Sequence, residues 1–267
     1  MKLALAVLCI AATAHADPAK DIADVLDKVL WATGPSTSSR FAFTTYGVNA
    51  LGDSASLGMN DVTAKQKVIG LSGSDAFVAA DIVEEGDCGG ESRSCGEQVG
   101  LMHGVFVFEK DADGWLPVVW HTADVVDARE QKYVLAPKAI VRKVDGAEDA
   151  AKLFESTIGD PKALAKTVSD RKEVVLYGSA DGERFVGGAK VRAKLLAWNL
   201  SLEVRDGVQA GLSHGKTLAW VAANVDARSA KDPKAKVLPY RVLAIYEKTG
   251  GTWKLVSASF SLYTGRT

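Results

Sequence analysis

Cysteine is nearly absent, with three in 267 residues at positions 9, 88 and 95. So few thiols exclude a disulfide-dense scaffold or a thiolate-rich metal fold. An excess of charge is also missing. Lysine and arginine number 32 against 33 acidic residues, a formal net charge of −1. That balance supplies no electrostatic pull towards nucleic acid or an anionic membrane surface. No apolar run reaches the roughly 20 residues needed to span a bilayer. Nor is there a nucleophile elbow, phosphate loop, zinc-binding helix or dinucleotide fingerprint. No cofactor and no metal are therefore expected, and nucleic acid and a membrane span are not expected either.

The first sixteen residues read as an export leader. Lys2 supplies the positive start, Leu3 to Ala12 an apolar run, and Ala14-His15-Ala16 a small-x-small cleavage site. The mature chain is expected to begin at Asp17 in the periplasm or outside the cell. Loss of Lys2 shifts its formal charge from −1 to −2. Cys88 and Cys95 then remain, in CGGESRSC. In an oxidising compartment this short, glycine-rich spacing favours a disulfide that stiffens a loop.

The chain repeats itself. LMHGVFVFEKDADGWLPVVWHTA (101–123) is echoed by PYRVLAIYEKTGGTWKLVSASFS (239–261), with Phe108 matching Tyr246 and Trp115 matching Trp253. Earlier, GLSGSDAFVAADI (70–82) matches GLSHGKTLAWVAANV (211–225) with a two-residue gap. Each long match reads as two strands joined by a polar, glycine-containing turn, one β-hairpin written twice.

Periodicity fills in the rest. Asp17-Pro18 opens a helix whose apolar positions Ile22, Val25, Leu26, Val29 and Leu30 recur at helical spacing. Residues 40–46 and 68–71 read as extended, 76–83 as a strand, and 47–66 as loop. In the second copy, helices are expected around 150–158, from Asp160-Pro161, and around 191–198, with strands from 173 to 263. Asp206-Gly207 reads as a hairpin turn between two of those strands. Helices followed by antiparallel strands define the α+β class. The expected architecture is two cone-shaped domains, each a strongly curved antiparallel sheet around N-terminal helices. Their boundaries are 1–16 leader, 17–126 first domain, 127–146 linker and 147–267 second domain.

The second copy resembles the SnoaL-like group of the nuclear transport factor two-like superfamily. The resemblance rests on GSADGERFVG (178–187), Ala219-Trp220-Val221, Arg241, and the spacing of Trp253, Ser259 and Ser261, over residues 147–263. The first copy is a degenerate version, recognised through the second and lacking the GERFVG stretch. The resemblance implies cone domains with a pocket for a small apolar ligand. It also implies packing of the two sheets as superfamily dimers pack, an intrachain pseudo-dimer.

Candidate site residues follow. His103 and His121, matching Arg241 and Ser259 of the second copy, fall as neighbours on the first hairpin. They would serve either as an acid–base pair with Asp81 near or as polar strand residues bonded to backbone. Tyr177, Glu183, Trp198, Trp220, Arg241 and Ser259 are the candidate lining of the second pocket, with Glu183 as a possible carboxylate partner for Arg241. The favoured expectation is an exported, non-catalytic small-molecule binding or interaction module of unknown specificity. The alternative is an isomerase or hydrolase of a small apolar substrate using His103 and His121.

Overall fold

The computed structural model describes residues 17–31, 41–44, 49–50, 62–87, 94–126, 139–232 and 234–263. The leader, the segment 88–93 with Cys88, and most of the expected linker lie outside these residues. The disulfide expectation is therefore outside them too.

Both helix starts predicted from Asp-Pro pairs form by capping. Asp17 accepts the amide of Ala19 at 3.0 Å ahead of α1 (Pro18–Trp31), and Asp160 that of Lys162 at 2.9 Å ahead of α3 (Pro161–Thr167). Each carboxylate satisfies an amide with no partner inside the first helical turn. The helix α2 (Glu148–Thr157) precedes α3, and α4 (Gly188–Ala197) follows it.

Two sheets account for the strands. The first contains β1 (Phe41–Thr44), β2 (Asn49–Ala50), β3 (Val62–Ser72), β4 (Asp75–Asp87), β5 (Ser94–Lys110) and β6 (Trp115–Asp124). Its order is β2-β1-β6-β5-β4-β3. The second contains β7 (Lys143–Asp145), β8 (Val175–Tyr177), β9 (Arg184–Val186), β10 (Leu200–Leu212), β11 (Leu218–Ser229), β12 (Leu238–Thr249) and β13 (Thr252–Leu262). Its order is β7-β10-β11-β12-β13-β8-β9. Apart from β7 the two wirings coincide. In each, four antiparallel strands end on a parallel pairing with the first strand of a short hairpin, β6 with β1 and β13 with β8. Bulges recur at matching points, between Val107 and Phe108 and between Ile245 and Tyr246.

The repeated glycine also has a physical reason. Gly70 pairs with Phe77 and Gly211 with Trp220 across their ladders. A Cβ on Gly70 would lie 2.0 Å from the Phe77 ring, and one on Gly211 2.9 Å from the Trp220 indole. Each aromatic ring lies over a bare backbone, so the two residue types travel together in both copies.

Two expectations need correcting. Asp206-Gly207 makes no hairpin turn, because β10 runs through it and pairs with β11 on both sides of a bulge between Val204 and Val208. The glycine instead admits the segment before β7: its amide donates to Ile140 O at 3.0 Å, and a Cβ there would meet Ile140 O at 2.7 Å. The expected loop at 47–66 also ends earlier, since β3 begins at Val62.

Both sheets bury both faces. One face of the first sheet carries Ala76, Val78, Ala80, Ile82, Phe106 and Phe108 against Ile22, Leu26 and Leu30 of α1. The concave face of the second packs Leu176, Val221, Ala223, Val242 and Phe260 against Phe154, Ile158, Leu164, Val191 and Leu195 of its helices. The remaining faces meet each other. Phe77, Ala79, Val105 and Val107 of the first sheet join Val175, Tyr177, Trp220, Leu243 and Ile245 of the second in one apolar cluster.

Candidate functional site

The strand period of two decides where each candidate side chain goes. On β5, His103 shares the parity of Val105 and Val107, which face the second sheet, whereas Phe106 and Phe108 face α1. His121, paired with Val105, lies on the same face. The observed register sets the two histidines as diagonal neighbours, and they project between the sheets and not into a cone of the first unit.

There His103 is 4% exposed and stacks on Tyr177 with centroids 4.1 Å apart and planes 21° from parallel. Its Nδ1 lies 3.3 Å from the carbonyl oxygen of Gly178. A carbonyl only accepts, so this contact requires the proton on Nδ1. Asp81 pairs with His103 across the β4–β5 ladder and accepts from the Tyr177 hydroxyl at 3.1 Å. Arg184 Nε reaches both groups, 3.4 Å from the Tyr177 oxygen and 3.6 Å from Asp81. Its Nη2 donates to Gln66 O at 2.7 Å. Burial lowers the pKa of His103, and nearby Asp81 only partly opposes it. Burial likewise raises that of the Tyr177 phenol, with Asp81 adding to the shift. His121 is fully buried, with Nε2 2.8 Å from Ser261 Oγ of the second unit. The cluster is thus a polar seam between the sheets.

The second cone keeps a small cavity of about 60 Å³, lined by Gly178, Ser179, Glu183, Trp198, Leu200, Leu202, Tyr240 and Phe260. Of the six predicted lining residues, Glu183 and Trp198 are there. Tyr177, Trp220, Arg241 and Ser259 are not, because their strand parity turns them the other way. Tyr177 and Trp220 belong to the inter-sheet cluster, and Arg241 alternates in step with Leu243 and Ile245. Ser259 alternates with Ser257 and with Ser261, the partner of His121. Glu183 is not the partner of Arg241. Its carboxylate is 3.4 Å from Lys194 Nζ and accepts the Ala180 amide at 3.3 Å. Arg241 is fully buried with its guanidinium 4.6 Å from the Tyr263 ring centroid. Burial lowers its pKa to about 10, with Tyr263 and Asp206 opposing, so it stays a cation at neutral pH.

A second polar contact, missed from sequence, holds the other end of the seam. Asp75, fully buried at the start of β4, accepts Ser213 Oγ at 2.5 Å and Thr217 Oγ1 at 2.7 Å, both from the β10–β11 turn. The amides of Gly215 and Thr217 add contacts at 3.2 and 3.4 Å. Beside it, Glu109 accepts the His214 amide at 2.7 Å. The repeat could have pointed here, since Asp75 is the charged residue where the second copy has Leu218.

Among the described residues no cluster of three or more histidine, cysteine or acidic side chains could hold a metal, and no helix is long and apolar enough to cross a membrane.

No family model matches the chain, and no curated protein matches it. Solved structures do. A nuclear transport factor 2-like protein of unknown function from Pseudomonas putida is 13% identical, covers 45% of this chain and 89% of its own, and gives a TM-score of 0.35. A ketosteroid isomerase-like protein from Erwinia carotovora is 19% identical over 44% of this chain and 92% of its own, at 0.33. An NTF2-like protein with a cystatin-like fold from Novosphingobium aromaticivorans is 11% identical over 45% and 83%, at 0.36. The likeness is one of fold. Each of these proteins accounts for less than half of this chain.

Proposed function

We propose that this chain is an exported, non-catalytic binding or interaction module, built by tandem duplication of one cone unit, with its two units packed sheet to sheet as an intrachain pseudo-dimer. The observation that carries the reading is the filled second cone. Pockets that take drug-sized ligands run to about 300–1,000 Å³, whereas side chains leave about 60 Å³ here. That is room for a few waters. Trp198, edge-on to Phe260 at 4.9 Å, is the largest side chain in the lining. The one carboxylate in the lining, Glu183, is already engaged by Lys194.

A flat apolar ligand would therefore need Trp198 to move. Thermal-shift titration with indole tests this. The expected result is no stabilisation of the native chain and a clear one for Trp198→Ala. Stabilisation of the native chain alone would make the cone an open ligand site.

The isomerase or hydrolase alternative rests on His103 and His121, which are 4% and 0% exposed. Turnover of an enone or ester that disappears in both His103→Gln and His121→Gln would establish it against the present reading. Export is tested by N-terminal sequencing of the protein made with its leader, which should begin at Asp17.

A further inference from the structure

The largest cavity among those described in the second unit lies away from the cone. It is an open cleft of about 540 Å³ between the end of α3, the side of α4 and the β12–β13 hairpin. Its lining includes Lys166, Arg171, Arg192 and Lys254 against two carboxylates, Asp170 and Glu247. Cations in a concave surface raise the local concentration of anions.

The two arginines are held in place by the chain itself. Arg192 donates from Nη1 to Val168 O at 3.1 Å and Ser169 O at 3.3 Å, and its Nη2 lies 2.7 Å from Asp170. Arg171 donates from Nη1 to Leu71 O at 3.0 Å and to Glu247 at 2.6 Å, and from Nε to Glu173 at 3.4 Å. These bonds use both carboxylates of the cleft. Among the described residues they leave Arg171 Nη2 and Arg192 Nε without an acceptor, and the two side chains are 29% and 32% exposed. Lys166 is exposed and Lys254 half-buried, and neither forms an ion pair among the described residues. Two fixed guanidiniums, each with one uncommitted nitrogen, flanked by two ammonium groups, offer charged donors to phosphate or paired carboxylate oxygens.

We propose that this cleft is an anion site for a small multivalent anion of the phosphate or dicarboxylate type. The lining carries a formal excess of two positive charges, which such a ligand neutralises. The site does not depend on the cone cavity, so it stands or falls separately from the function proposed above.

Isothermal titration of the mature chain with sodium pyrophosphate, and in a second arm with sodium malonate, tests it at constant ionic strength against sodium chloride. The expected result is saturable 1:1 binding of one or both at millimolar affinity or tighter. It should weaken about tenfold in the Lys166→Ala/Lys254→Ala double variant, which alters only side chains at the cleft surface. Arg192→Lys keeps the charge but loses the fork, and should weaken binding as well. Binding of pyrophosphate alone or malonate alone assigns the ligand class. No saturable heat from either, or an affinity unchanged in the double variant, overturns the proposal.

Discussion

A glycine facing an aromatic ring, once in each sheet, accounts for much of what the repeat looks like in sequence. Gly211→Ala would press a methyl group against the Trp220 indole, 2.9 Å away. Overpacking of this kind costs about 1–3 kcal/mol, and urea unfolding should show that loss with an unchanged slope. His103 gives a second prediction at this scale. Its folded pKa is lowered, so below the unfolded value of about 6.5 the unfolded chain binds the proton more readily. The contribution is fully present above that pH and is lost as pH falls from it through the lowered folded value. Stability measured at pH 8 and 5.5 should drop more for the native chain than for His103→Gln, and equal drops would remove His103 as the cause. Residue types were legible in sequence, but directions were not. Because both faces of each sheet are apolar, the alternation that would separate cone-facing from interface-facing residues is invisible. This is why Tyr177, Trp220, Arg241 and Ser259 were expected in a pocket they turn away from.

Among the elements, the β10–β11 turn is the one that a single carboxylate organises. Asp75→Ala removes the charged acceptor shared by the hydroxyls of Ser213, which is buried, and Thr217, which is half-buried, and leaves them only the carbonyls of Leu218 and Ser72. Hydrogen bonds to a charged group contribute about 1.5–3 kcal/mol each. A loss of about 3 kcal/mol in denaturant unfolding is expected, with Asp75→Asn intermediate because it keeps one acceptor. Helix starts were readable because an Asp-Pro pair acts locally. The β10 bulge was not readable, since Asp206-Gly207 is equally suited to a hairpin turn. Only the ladder to β11 on both sides and the close passage of Ile140 exclude the turn, and both are long-range facts.

At the level of the molecule, the apolar cluster between the sheets sets how the chain behaves when divided. Residues 147–267 expressed alone would expose Tyr177, Trp220, Leu243 and Ile245 together. A contiguous apolar face of that kind drives association. Size-exclusion chromatography with light scattering should show dimers or larger species for the fragment. A well-behaved monomer would mean that the face is tolerated in water and the sheets dock only weakly.

The two sheets that meet at this seam share their strand order, apart from β7, but not their residues. Asp81 opposite His103 on one side corresponds to Asn224 opposite Arg241 on the other. In a dimer of identical chains every substitution appears twice, so a residue that suits one half of the contact is imposed on the other. A covalent tether removes that constraint and also keeps each half at a high effective concentration around its mate. Within one chain, a substitution on one side of this seam leaves the residues on the other side unchanged.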